Sequence, residues 1–197
     1  MGASAFYHMY GGMTACHMVC LRKYDLGGIC IMIMGSCTSP FYYGFMCEDS
    51  WFYGKLYLVQ VYLCCLFALY ATMREVSSFG SLWLNAIAFI VAGYSTVPGC
   101  LHLAWYMEKE QAHNFAIWPW LSGGVVYAIG AIIYAAKVPE RFYQNKFDYV
   151  GSSHQIFHFF IMAAAALHLW GSFRTFHERQ VYGCPENGKF LTLEDLF

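Results

Sequence analysis

Residues 153–173 read SHQIFHFFIMAAAALHLWGSF, a run long and apolar enough to cross a lipid bilayer as one helix. His154 and His158 stand four residues apart at its start. In a helix this spacing puts both imidazole rings on one face, with their Cβ atoms about 5–6 Å apart, which suits two ligands of one metal ion. Because ionisable side chains at membrane depth are rare and usually functional, the stretch predicts a membrane helix that carries part of a metal site.

The composition predicts the same environment for the whole chain. Hydrophobic residues make up 59% of the 197 residues and charged residues only 12%, and the mean hydropathy is +0.42, which is typical of an integral membrane protein. The formal net charge of −1 provides no basic field, so nucleic acid is not expected as a partner. At about 20 residues per span, the chain can hold about five full helices and part of a sixth.

Charged or turn-forming residues separate five apolar stretches. These stretches cover residues 26–46, 56–72, 79–107, 115–136 and 152–173. Pro98 and Gly99 inside the third do not exclude a span, because neighbouring helices can satisfy the freed backbone groups. Ser152 and Ser153 can cap the last stretch. The sequence therefore predicts an all-α, polytopic helical membrane protein.

Basic residues in the connections predict the orientation, because cytoplasmic loops retain an excess of lysine and arginine. The connections before the first span, between the second and third, and between the fourth and fifth carry Arg22, Lys23, Arg74, Lys137, Arg141 and Lys146. The opposite connections carry only Lys55 and Lys109. We therefore expect residues 1–173 to form a membrane domain with those first connections in the cytoplasm, and residues 174–197 to form an extracytoplasmic tail.

Residues 1–10 are apolar but too short to span, and they read as the end of a helix that Gly11-Gly12 would stop. His8 then lies one turn before the stop, near the inner face. Asp25 and His154 each lie at the inner start of a predicted span. Side chains from three helices would thus meet at one depth, as a zinc site requires.

Several short motifs, in this order, resemble the progestin and adipoQ receptor family and, within it, the adiponectin receptor branch. They are Ser4-Ala5-Phe6-Tyr7-His8, Lys23-Tyr24-Asp25-Leu26-Gly27-Gly28, Met34-Gly35-Ser36, Val138-Pro139-Glu140-Arg141-Phe142, Lys146-Phe147-Asp148 and Ser153-His154-Gln155-Ile156-Phe157-His158. The resemblance covers nearly the whole chain. It is strongest over residues 134–158 and weakest over residues 51–78.

The resemblance implies a seven-helix membrane fold with a cytoplasmic N-terminus and an outside C-terminus, of which about five full spans and the end of another are present. It implies a zinc ion (Zn2+) held by His8, His154 and His158, with Asp25 contacting the zinc-bound water and Ser4 lining the site. It associates the site with hydrolysis of the membrane lipid ceramide and with signalling in response to an extracellular ligand. Family members carry further segments before the position of Ser4, so the chain is expected to be N-terminally truncated relative to them.

The chemistry of these residues leaves more than one function open. Three neutral histidines leave one tetrahedral position of zinc free, the pattern of catalytic sites, and zinc can lower the pKa of a bound water to about 7. In the enzyme hypothesis, Asp25 orients or deprotonates that water and Ser4 donates to the developing oxyanion while a lipid amide is hydrolysed. In the alternatives, the protein is a non-catalytic receptor with structural zinc, or a haemolysin-III-like membrane protein, since those proteins share the histidine and aspartate pattern.

Some residues also have purely structural interpretations. His102 and His168 fall nearer the outer halves of their helices and are expected to be hydrogen-bonded packing residues. Asp25 can serve as a helix N-cap, and Ser4 as a small residue at a helix contact. A disulfide on the outer side would join two of three cysteines, which are Cys47, Cys100 and Cys184.

Overall fold

The structure is a computed structural model of the chain and describes residues 2–10, 14–47, 50–75, 82–109, 117–143, 145–147 and 150–182. Within these ranges the chain forms seven α-helices. They are α1 (Gly2–Tyr10), α2 (Ala15–Gly44), α3 (Trp51–Glu75), α4 (Leu82–Tyr94), α5 (Val97–Lys109), α6 (Trp118–Ala136) and α7 (Ser153–Tyr182). The prediction of an all-α fold is confirmed.

Four helical stretches of the described residues are long and apolar enough to cross a membrane. They are Trp51–Met73, Trp83–Trp105, Trp118–Ala136 and Ser153–Val181. Each coincides with one of the predicted spans, which confirms a polytopic membrane protein. The remaining predicted span belongs to α2, which has 30 residues but is less apolar, because Ser36, Thr38 and Ser39 lie in its middle.

The N-terminus of α2 lies earlier than the apolar pattern predicts. Thr14 is the N-cap, and its hydroxyl accepts the backbone N–H of His17. The helix therefore begins at Ala15 rather than near residue 26, since hydropathy marks the apolar part of a helix and not its polar ends. Asp25 lies well inside α2, so the N-cap interpretation of Asp25 is wrong.

The third predicted span consists of two helices, α4 and α5, with a break at Ser95 and Thr96. The hydroxyl groups of these two residues donate to the carbonyl oxygens of Ala92 and Gly93, at 2.6 and 2.8 Å. Pro98 has no N–H to donate to the carbonyl group four residues earlier. The break therefore lies just before the proline.

Helix α7 continues to Tyr182, beyond the predicted end of its span at residue 173. Residues 174–182 of the predicted tail thus belong to the helix, and residues 183–197 lie outside the described part of the chain.

Arg179, on this last part of α7, fastens α7 to the end of α2. Its buried guanidinium group donates to the carbonyl oxygens of Tyr43 and Gly44, at 2.7 and 2.9 Å. Carbonyl groups in the last turn of a helix lack partners within the helix, and a cation there is favoured by the helix dipole.

The helices form two halves that are filled differently, with α2 shared between them. In the packed half, α2, α3, α4 and α5 bury a continuous core. Its members are Cys30, Cys37, Phe41, Phe45, Val61, Cys65, Ala68, Ala92, Cys100 and Leu103. In the hollow half, α2, α4, α6 and α7, with the start of α5, surround a cavity of about 770 Å³.

Candidate metal centre

Three histidines from two helices meet at one end of the cavity. His8 lies on α1, and His154 and His158 lie one turn apart at the start of α7. The Nε2 atom of His154 is 2.8 Å from that of His8 and 3.3 Å from that of His158. All three candidate ligand atoms lie within 4.8 Å of one another. The structure therefore brings together the three residues predicted as metal ligands.

The spacing of these nitrogens suits a zinc ion. A tetrahedral zinc with Zn–N bonds of about 2.0–2.1 Å holds its ligand nitrogens about 3.3 Å apart. The separation of 3.3 Å between His154 and His158 equals this value, and that of 2.8 Å between His8 and His154 is shorter by about half an ångström, while the group as a whole extends to 4.8 Å. His8 is exposed, while the two histidines of α7 are half-buried, so a small movement of the His8 ring can adjust the distance.

Asp25 faces the histidines from α2. It lines the same cavity as His154 and interacts electrostatically with His158. The carboxylate of Asp25 and the guanidinium of Arg22 both act electrostatically on the phenol of Tyr134, whose ring lies 5.1 Å from that of His154. A carboxylate near metal ligands but outside the ligand set is well placed to accept a proton.

Ser4 lies one turn before His8, on the same face of α1. Its side chain is only 7% exposed, and its hydroxyl has no hydrogen-bond partner among the described residues. Ser4 is not part of the cavity wall. The helix contact is close here, since a Cβ built on Gly28 of α2 would lie 3.4 Å from the Cβ of Ala3. The position of Ser4 is therefore compatible with both interpretations, a residue near the site and a small residue between helices.

Glu140 fixes the start of α7. The backbone N–H of Ser153 donates to one carboxylate oxygen at 2.8 Å, and the hydroxyl of Ser153 donates to the other. Partial burial acts to raise the pKa of Glu140, but these two hydrogen bonds and the charge of Lys137 outweigh it and lower the pKa below its usual 4.5. The hydroxyl of Ser152 accepts the N–H of Gln155 at 3.4 Å, which is the predicted serine cap.

Sequence reasoning missed three residues that surround the histidines, which are Arg22, Tyr134 and Glu140. Glu140 lies in one of the motifs that carry the family resemblance, but the sequence did not indicate that it would bind Ser153. Arg22 stands three residues before Asp25, a spacing that puts both on one helical face. For Tyr134 the sequence offered only its place at the start of the most similar region.

The cavity is mainly apolar beyond the histidine end. Its charged lining residues are Arg22 and Asp25 in the first half of α2, and Lys137 and Glu140 in the connection between α6 and α7. Farther along, isoleucine, leucine, phenylalanine and alanine side chains of α2, α4 and α6 form most of the wall. A cavity of this volume with charges at one end suits an amphiphilic molecule.

The two histidines predicted to be packing residues are hydrogen-bonded. The Nδ1 atom of His102 lies 3.0 Å from the hydroxyl of Tyr57, next to the packed core. The Nε2 atom of His168 lies 3.2 Å from the carbonyl oxygen of Trp120. Both rings are thus hydrogen-bonded as predicted, but His168 also lines the cavity.

The structure excludes one of the cysteine pairs that the sequence left possible. Cys47 is disulfide-bonded, whereas Cys100 carries a free thiol. Cys100 is therefore not the partner of Cys47. Cys184 lies outside the described residues.

Residues 1–169 match the family described as haemolysin-III related. The adiponectin receptor protein of Drosophila melanogaster is 34% identical over 87% of this chain and 38% of its own length. Heptahelical transmembrane protein 5 of Arabidopsis thaliana is 29% identical over 83% of this chain and 48% of its own length. Progestin and adipoQ receptor family member 3 of Mus musculus is 30% identical over 92% of this chain and 57% of its own length. The chain thus spans about half the length of these relatives.

The family match extends over most of the chain and includes His8, Asp25, His154 and His158. The matched residues contain all the motifs on which the family resemblance rests, from Ser4 to His158. The chain belongs to the haemolysin-III-related family and is a relative of the adiponectin receptors and the progestin and adipoQ receptors.

Proposed function

We propose that this chain carries the zinc centre of an adiponectin-receptor-like membrane signalling protein, and that the centre hydrolyses a lipid amide of the ceramide class. The observation that carries the proposal is the convergence of three imidazole nitrogens within 4.8 Å at one end of a mainly apolar cavity. Ionisable groups at membrane depth usually serve a function, and the cavity offers room for an acyl chain. The names of the relatives support the signalling role.

His8, His154 and His158 would hold the ion, which, when bound, polarises a carbonyl oxygen and lowers the pKa of a water. Asp25 accepts a proton from the water that adds to the amide carbonyl carbon. Ser4, which is not part of the cavity wall, is assigned no step. The C–N bond then breaks and the leaving nitrogen takes the proton from Asp25. The products are a fatty acid and a free amine, which for ceramide is sphingosine.

Zinc content tests the first part of this proposal. We expect about one zinc per chain in detergent-purified protein, and its loss in a His154→Ala, His158→Ala double variant, because one remaining imidazole binds zinc weakly. His177→Ala, at an exposed position of the same helix, is the matched control and should keep the metal. Elemental analysis beside a thermal melt gives the answer, and a folded wild-type chain without zinc would refute the metal centre.

Ceramide hydrolysis separates the enzyme from the receptor with structural zinc. The Asp25→Asn variant should retain zinc but release much less sphingosine than wild type. The side-chain amide of asparagine accepts no proton at neutral pH and so cannot replace the carboxylate as a base. The structural alternative predicts no zinc-dependent hydrolysis by the wild type. In that case an extracellular ligand would act by shifting the helices, and zinc would only hold them together.

We propose further that the histidine end faces the cytoplasm and the C-terminus the outside. Lys137, Arg141 and Lys146 lie in the connection that leads to the histidines of α7, Arg22 and Lys23 lie in the first half of α2, and Arg74 lies at the end of α3. An excess of basic residues at this end favours the cytoplasmic side. Cys47 stands beyond the opposite end of α2, and its disulfide bond suits an oxidising compartment. An Asn-linked glycosylation acceptor added after Phe197 should be glycosylated in microsomes, whereas glycosylation of an acceptor inserted beside Asn145 would reverse the orientation.

A further inference from the structure

We propose that the end of the cavity far from the histidines binds a hydroxyl group carried by the lipid chain. Three cavity-lining residues form this end: Trp120 and Tyr127 of α6 and His168 of α7. The ring of His168 lies 5.1 Å from that of Trp120 and 5.4 Å from that of Tyr127, between centroids. The inference rests on the part of the proposed function that seats a lipid in the cavity, and it specifies the class of lipid.

Each of these residues has a buried polar atom without a hydrogen-bond partner in the described part of the chain. The atoms are Nε1 of Trp120, the hydroxyl oxygen of Tyr127 and Nδ1 of His168. Trp120 is only 6% exposed, and the Tyr127 hydroxyl interacts with the Ser36 side chain but has no partner in good hydrogen-bonding geometry among the described residues. Buried polar groups almost always have partners, and a molecule in the cavity can supply them.

The hydrogen-bonding pattern selects the kind of group. The Nε2 atom of His168 must carry the ring hydrogen because it faces a carbonyl oxygen at 3.2 Å, so Nδ1 is an acceptor. The Tyr127 hydroxyl can donate. A ligand hydroxyl satisfies both, since it donates to His168 and accepts from Tyr127. A carboxylate has no hydrogen for Nδ1, and burial of its charge is costly away from Arg22 and Lys137.

The distance along the helices places this hydroxyl site on the distal part of the chain. His168 stands 14 residues after His154, which corresponds to about 21 Å along a helix. Tyr127 stands seven residues before Tyr134, or about 10 Å, and the ring of Tyr134 lies against that of His154. The two helices thus bracket the site at about 10–21 Å from the histidine end, which lies within the length of a long-chain acyl group whose head is at the histidines.

A matched pair of fatty acids tests the inference. Ricinoleic acid is oleic acid with one hydroxyl on the outer half of the chain, and both can compete with a fluorescent fatty acid for the detergent-purified full chain. We expect wild type to bind ricinoleic acid about tenfold more tightly than oleic acid, since each net hydrogen bond contributes a few-fold to tenfold. Tyr127→Phe should reduce this preference to about twofold or less without weakening oleic acid.

Tyr62→Phe is the control, because it removes the same atom outside the cavity, where the Tyr62 hydroxyl lies 2.7 Å from that of Thr38. It should keep the preference. Equal binding of both acids by wild type would overturn the hydroxyl site and leave lipid binding intact. Binding of neither acid would overturn the lipid-filled cavity and the hydroxyl site together. A preference that survives in a folded Tyr127→Phe protein would also overturn the site, and if that variant does not fold, the wild-type comparison decides.

Discussion

The two faces of α2 meet different environments. Toward α3, Phe41 and Phe45 are fully buried together with Val61. Toward α6 and α7, the same helix borders a cavity of about 770 Å³, and there Asp25 approaches the histidines. A void of this size removes packing contacts that elsewhere stabilise a fold. The difference indicates that the packed half supplies most of the stability, whereas the hollow half lacks packing contacts beside its polar groups.

Removal of a large side chain from the core of the packed half should cause the largest loss of stability. Phe41→Ala removes a side chain that is 0% exposed and should lower the free energy of unfolding by about 3–5 kcal/mol. Ile161→Ala, on the cavity wall at 6% exposed, should cost less, because part of its surface already lacks contacts. Unfolding in detergent measures both, and equal losses would contradict the division into two halves.

Loss of the hydrogen bonds that join α7 to the end of α2 should cause the next largest loss of stability. Arg179→Leu leaves the carbonyl groups of Tyr43 and Gly44 without the guanidinium, at a cost of about 1.5–3 kcal/mol for hydrogen bonds from a charged group. Arg174→Leu is the matched control on the same helix. Arg174 contacts Glu178 at 3.9 Å near the surface, and such pairs contribute about 0–1 kcal/mol. A melting shift as large in the control would argue against a specific role for Arg179.

The hollow half depends on close approach of α6 to α7. A Cβ added at Gly130 would lie 2.6 Å from the Cβ of Phe160, so Gly130→Ala should force the helices apart and cost about 1–3 kcal/mol. Gly124→Ala would add the same atom where nothing lies within 4 Å. We expect that control to be neutral or slightly stabilising, because alanine favours helix. Thermal melting of both variants, with zinc content as a second readout, checks the contrast.

The smallest expected effect is the dependence of stability on the charge of Glu140, which is lost in acid. Because the pKa of Glu140 is lowered in the folded chain, its contribution to stability is complete at neutral pH, above the unfolded pKa near 4.5, and is lost as pH falls through the folded pKa. Glu140→Gln should therefore melt slightly below wild type at pH 7, and the difference should disappear in strong acid. Melting temperatures from about pH 7 to pH 3 test this, and a gap that widens in acid would have the wrong sign.

Much of the fold followed from local patterns. Length and hydropathy predicted the spans, because a bilayer demands about 20 apolar residues with internally satisfied backbones. The helical spacing of His154 and His158 predicted that their rings share one face. The ends of α2 and α7 were placed wrongly or left open, since polar residues outside the apolar zone can continue a helix when a cap such as Thr14 or a contact such as that of Arg179 supports them.

The sequence by itself determined that the chain is an all-α membrane protein, that two histidines of α7 face one way, and that a family resemblance joins them to His8 and Asp25. Only the tertiary structure decided that His8 comes within 2.8 Å of His154 across 146 positions, that Glu140 holds the start of α7, and that a cavity opens beside them. Periodicity and hydropathy act over a few turns of one helix, whereas these contacts depend on how separate helices pack, which local pattern does not encode.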